Sequence, residues 1–176
     1  MKKATLVILA LALLLPMAAM AQANGTLAVT ATLQSSVYLT LENVSGYIAL
    51  TNPATPAATM ALGNVSAYGG TAPTGVTQAL VGSPATAFTL STTFGVKVVQ
   101  LNAGASTKFN LTAALQNADA TNTWTVGGVV LTTSAQAVST GAAYNGVVSE
   151  TFVLSIPTSE VAGSISNTIK LVASAG

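Results

Sequence analysis

The chain has 176 residues, 51% of them hydrophobic and only 5% charged, with five basic and four acidic side chains and neither histidine nor cysteine. Without them the commonest general base, the thiol nucleophile and the soft metal ligands are missing, and no disulfide can staple the fold. There is also no arginine, so neither nucleic acid nor an anionic membrane surface meets a basic patch.

At the N-terminus Lys2 and Lys3 precede an apolar run from Ala4 to Leu15, then Pro16 and a stretch of small residues. That is the order of a signal peptide: charged region, apolar region, cleavage region. Ala19-Met20-Ala21 and Ala21-Gln22-Ala23 both fit a small-x-small cleavage site. The reading is a signal peptide over 1–23 and a single mature domain over 24–176. The apolar run is too short to cross ~30 Å of hydrocarbon, so no transmembrane segment is expected in the mature chain. Export places the product outside the cell or on its surface, by way of the periplasm if the cell is Gram-negative.

From Leu27 the residues alternate. Leu27, Val29, Ala31, Leu33, Val37, Leu39 and Leu41 share one parity, broken at Ser35, and Thr, Gln, Ser and Tyr dominate the other. Period two with one apolar face is the pattern of a half-buried strand. Further strands are expected at 46–51, 76–81, 87–93, 96–101, 108–116, 123–126, 129–133, 147–156 and 165–173, where Val, Thr and aromatic residues suit a pleated surface. Residues 52–84, with four prolines and Gly69-Gly70, show no clear pattern and suit short edge strands or a surface excursion.

Gly127-Gly128 between two short β-rich runs predicts a tight hairpin, because glycine supplies the positive φ of a primed turn. Residues 117–122, rich in Asn and Asp, read as a turn. Their oxygens also resemble a weak calcium site, but one carboxylate is too few, and the ordinary turn is the reading favoured. Pro157 ends a strand because it cannot donate to a ladder. Trp124, beside the hairpin, is expected in the core, whereas Tyr38 falls on the polar face. The four acids, Glu42, Asp119, Glu150 and Glu160, are expected in water at strand ends and turns.

About ten short strands separated by turns predict an all-β fold, an immunoglobulin-like or Greek-key β-sandwich. No enzyme is expected: no catalytic residue, metal site or cofactor emerges. The stretch from Thr26 to Ser36 and the ending Phe152-Val-Leu-Ser-Ile-Pro157, Ala162-Gly163 and 166–171 resemble secreted bacterial pilin-like proteins of the spore-coat-U and chaperone–usher type. Ser35-Ser36 stands where many such proteins carry cysteine. The resemblance implies an immunoglobulin-like subunit of an extracellular fibre.

Low charge agrees with a protein that self-associates. The first alternation is also long, about 50 Å at ~3.3 Å per residue. Either it bends and switches sheets within one domain, or 24–34 acts as a donor strand with Leu27, Val29, Ala31 and Leu33 entering the next subunit. The expected function is therefore a structural subunit of a pilus or matrix filament assembled by strand addition. The alternative is a monomeric secreted or displayed adhesive module that binds glycan on a host or environmental surface. Mass spectrometry of exported protein should find the chain beginning at Asn24 or Gln22, and an intact Met1 would overturn the signal-peptide reading.

Overall fold

The computed structural model describes residues 28, 30, 36–47, 50–68, 72–101 and 106–176. The chain divides into two units, Met1–Thr32 and Leu33–Gly176, and the fold below is that of the second. The expected signal peptide lies outside the described residues.

Among the described residues there is no helix. Nine strands follow in chain order: β1 Ser36–Glu42, β2 Thr77–Val81, β3 Ala87–Leu101, β4 Lys108–Leu115, β5 Thr123–Val126, β6 Val129–Val130, β7 Gln136–Ala143, β8 Val147–Pro157 and β9 Ile169–Ala175. They form two antiparallel sheets in the arrangement of a β-sandwich. The first has the order β1-β3-β8-β5-β6, with β2 also paired to β3, and the second has the order β7-β4-β9.

Period two sets the core. On β3, Phe88, Leu90, Phe94, Val96 and Val98 are buried, and Phe152, Leu154 and Ile156 continue the same face on β8. From the second sheet Phe109, Leu111, Ala113 and Leu115 of β4 face them. Each fully buried side chain of this size contributes about 1.5–3 kcal/mol by leaving water. Thr92 occupies an inward position, and its hydroxyl is satisfied by donating to the Gly75 carbonyl at 2.9 Å.

The hairpin forms where expected. Val126 pairs with Val129 and Thr125 with Val130, and Gly127 and Gly128 take φ of +58° and +81°, the geometry of a primed turn. Pro157 closes β8 as expected.

Several expectations are corrected. Residues 87–93 and 96–101 are one strand rather than two. Gly95 continues the ladder between Glu42 and Ser149, and a Cβ there would lie 2.6 Å from Val147 Cγ1 and 3.0 Å from Glu42 Cβ. Glycine marks a close approach of neighbours, which is its other use in a strand. Of the strand expected at 46–51, the described residues 46, 47, 50 and 51 belong to none: the chain turns at Gly46, φ +84°, and Thr51 makes an isolated bridge to Thr59.

The strand expected over 129–133 ends early, at Val130: the Leu131 amide still donates to the Trp124 carbonyl at 2.8 Å, but the Thr132 carbonyl accepts the Leu115 amide at 2.8 Å and so turns to the second sheet. The last strand starts at Ile169 rather than at 165, since Asn167 bonds Asn117 in the β4–β5 loop instead of a strand. Strand β7 was not anticipated. Its pairing with β4 shifts register twice, and at the first shift the Gly141 amide donates to Asn110 Oδ1 at 2.9 Å. Bulges of this kind break the alternation that marks a strand.

The two turn glycines are predicted to differ. A Cβ at Gly127 would meet Glu150 Oε2 at 2.7 Å and the Val138 carbonyl at 3.0 Å, while Gly128 has open space. Gly128→Ala should cost about 1 kcal/mol from positive φ alone. Gly127→Ala should cost about 2–4 kcal/mol, since it adds an overpacking clash to the same strain. Denaturant unfolding of the two variants measures the difference.

Candidate functional site

Chemistry-bearing side chains were the first candidates, and the structure disperses them. Among the described residues no three acids gather into a metal site. Glu42 sits opposite Gly95 with the outward side chains of the first sheet, while Glu150 sits opposite Phe94 with the inward ones.

Asp119 is an Asx turn, as the sequence reading favoured. Its Oδ1 accepts the amides of Thr121 at 3.0 Å and Asn122 at 2.8 Å, and its Oδ2 accepts Asn122 Nδ2 at 3.2 Å and Trp124 Nε1 at 2.7 Å. Partial desolvation pushes its carboxyl up. The hydrogen bonds from the Asn122 amide, the indole, the Thr121 amide and the Asn122 side chain outweigh that and lower it to about 2. Four donors already occupy this carboxylate. Trp124 is 6% exposed and packs 6.0 Å from Phe152, so the indole belongs to the core.

Glu150 corrects the expectation that every acid is solvated. It is in phase with Phe152, Leu154 and Ile156 and is 5% exposed. Among the described residues it makes no hydrogen bond or ion pair. Burial raises its pKa above the ordinary 4.5, because a low-dielectric site disfavours the charged form.

What the tertiary structure does assemble is a cleft. Among the described residues six strands in one sheet face three in the other, so the described strands of the smaller sheet leave part of the larger sheet's inner face without a partner strand. Two extended, irregular segments flank this gap. One is 58–67, in which Ala58, Met60, Leu62, Val65 and Ala67 pack against the core. The other is 160–168, which leads into β9.

Between them lie two open cavities of about 560 and 540 Å³. The cavities share Leu62, Gly63, Leu154 and Ile165 as lining and so form one elongated slot. Phe88, Leu90 and Ile156 floor one half; Phe94, Trp124 and Phe152 floor the other.

The walls carry free backbone. Among the described residues, the amides and carbonyls of 60–65 and of 161–166 make no hydrogen bond within the protein. Among the described residues strand β9 pairs only with β4, and its inward residues Ile169, Leu171 and Ala173 are half-buried. The same parity runs back through Asn167 to Ile165. An unpaired edge beside an apolar floor is a template for an added strand.

The residues expected to act as a donor strand, Leu27, Val29, Ala31 and Leu33, lie outside the described residues. The slot itself was not found from sequence. Its only sequence signal was the alternation Ala58, Met60, Leu62 inside the stretch that resisted assignment. No protein-family model matches the chain, and no curated protein matches it. No helix among the described residues is long and apolar enough to cross a membrane.

The buried acid makes a pH prediction. Glu150 has a raised folded pKa, so its folded state holds the proton more tightly than the unfolded chain. Stability is then highest below the ordinary value of 4.5 and falls as pH rises from there through the folded value. Thermal melts of Glu150→Gln should show a higher Tm than the parent at pH 7 and an unchanged Tm near pH 4. Equal melting temperatures at pH 7 would show that Glu150 is not desolvated.

Proposed function

We propose that this chain is a structural subunit of an extracellular filament, with an immunoglobulin-like or Greek-key sandwich that assembles by strand addition. The slot carries this reading. It couples an unpaired strand edge to an apolar floor made of the protein's own core side chains. An incoming strand would add main-chain hydrogen bonds along β9 and 161–166, and its alternate side chains would cover that floor.

The occupant proposed is residues 27–33 of a second copy. Leu27, Val29, Ala31 and Leu33 offer four apolar side chains of one parity, and the segment 24–34 carries no charge. The slot is almost as neutral, with Glu160 the one charged residue along its lining. The resemblance to pilin-like proteins and the scarcity of surface charge agree with the same reading.

The adhesive alternative has one observation in its favour. Tyr38, Tyr47 and Tyr68 are 46%, 46% and 69% exposed, and a tyrosine-bearing surface suits a glycan. The burial of Trp124 removes the side chain that would have served that role best.

Deleting residues 24–33 tests the filament reading. The truncated protein should remain folded, fail to form filaments under the electron microscope, and take up a synthetic peptide of residues 26–33. Filaments that persist without these residues, or a truncated chain that unfolds, would refute donor-strand assembly.

A further inference from the structure

The two walls of the slot are held unequally. Segment 161–166 joins two ladders, since β8 ends at Pro157 and β9 begins at Ile169. It is also pinned at both ends. The Thr158 amide donates to the Thr86 carbonyl at 3.0 Å, and Asn167 Nδ2 donates to the Asn117 carbonyl at 2.8 Å.

Segment 60–65 joins no ladder. On one side it hangs from the isolated bridge Thr51–Thr59, with bonds of 2.9 and 3.2 Å, and the other isolated bridge, Leu41–Thr55, lies before the segment begins. On the other it is held by Gln78 Nε2 donating to the Ser66 carbonyl. That second anchor is incomplete, because Gln78 Oε1 is buried without a partner. A buried acceptor left unsatisfied costs free energy that solvent would recover if the segment lifted.

Midway, Gly63 bends the segment at φ +74°, and a Cβ there would lie 2.9 Å from Pro73 Cγ. Inward, Met60 and Leu62 touch the core but are only half-buried, because they also line the cavities. Few hydrogen bonds and loose packing are the marks of a segment that opens far more easily than the whole fold.

We propose that residues 58–67 are a built-in strap. In the isolated subunit Ala58, Met60 and Leu62 shield the core floor of the slot, and the strap swings outward when a strand enters beside β9 and 161–166. The subunit thus caps its own apolar cleft, and assembly requires the strap to yield. This inference rests on the strand-addition reading for the identity of the entering strand, but not for the opening itself.

The chain has no cysteine among its described residues or elsewhere in its sequence, so a thiol placed in it reports cleanly. The experiment uses the mature chain, kept monomeric by dilution, as Leu62→Cys and, separately, as Val96→Cys. Val96 is fully buried beneath the β1–β3–β8 ladders and reports global unfolding. Each variant is labelled with a maleimide, with and without excess peptide of residues 26–33.

The strap requires Cys labelling at position 62 to run at least about tenfold faster than at position 96 in the absence of peptide and, because Leu62 is already half-buried, to quicken in denaturant too dilute to change position 96, as expected for sub-global opening. It also requires the peptide to accelerate labelling at position 62 several-fold while leaving position 96 unchanged. Equal rates at the two positions overturn the strap. Bound peptide that protects position 62 also overturns it, since the strap would then stay in place. Fast labelling at position 62 with no peptide binding keeps the opening strap but refutes the strand-addition reading.

Discussion

Everything in this fold hangs on one ladder. All eleven residues of β8 pair with β3, from Ala87–Pro157 to Lys97–Val147. Strand β3, fifteen residues long, exceeds its partner and uses its other edge twice, pairing β2 along its first part and β1 along its last. Such a strand can run straight only if no neighbour crowds it, and Gly95 is where crowding would occur. Glycine here preserves the continuity of the central strand by having no side chain to clash.

The ladder also fixes the parity of the core. Once Leu90 lies opposite Leu154 and Phe94 opposite Glu150, every second residue of both strands points inward. Glu150 is carried inward by that parity, not by any partner of its own. The Gly127 turn then approaches its carboxyl closely, so a side chain at that position is excluded by tertiary contact as well as by φ. The opposite case is Asp119. It lies in a loop, near water, and is ionised to low pH because amides and an indole donate to it. Two carboxyls in one domain thus move in opposite directions, one by desolvation and one by hydrogen bonding.

The uneven sheets have a functional consequence. A sandwich normally buries both inner faces against each other. Here three strands face six, and irregular chain must do the covering. Irregular segments shield apolar surface less completely than strands and leave their own amides and carbonyls to solvent. Among the described residues the slot beside β9 combines both deficits, a half-covered core and an unpaired edge. An added strand would remedy both at once, and this is the physical basis of the filament proposal.

The sequence by itself determined the local features. The Gly127-Gly128 turn, the Asp119 turn, the end of β8 at Pro157 and the core position of Trp124 all follow from a few neighbouring residues, since φ preferences and short-range hydrogen bonds act over that distance. Runs of β-favouring residues likewise marked β4 and β8, and β3 as two separate pieces. Strand β7 stayed hidden because two bulges and small polar residues erase its period. Only the tertiary structure decided that Glu150 is buried, that β3 runs through Gly95, and that 58–67 and 160–168 flank one slot. These depend on which strands become neighbours across tens of residues and in what register. A strand's own pattern states that it has an apolar face, but what covers that face is settled by the rest of the chain.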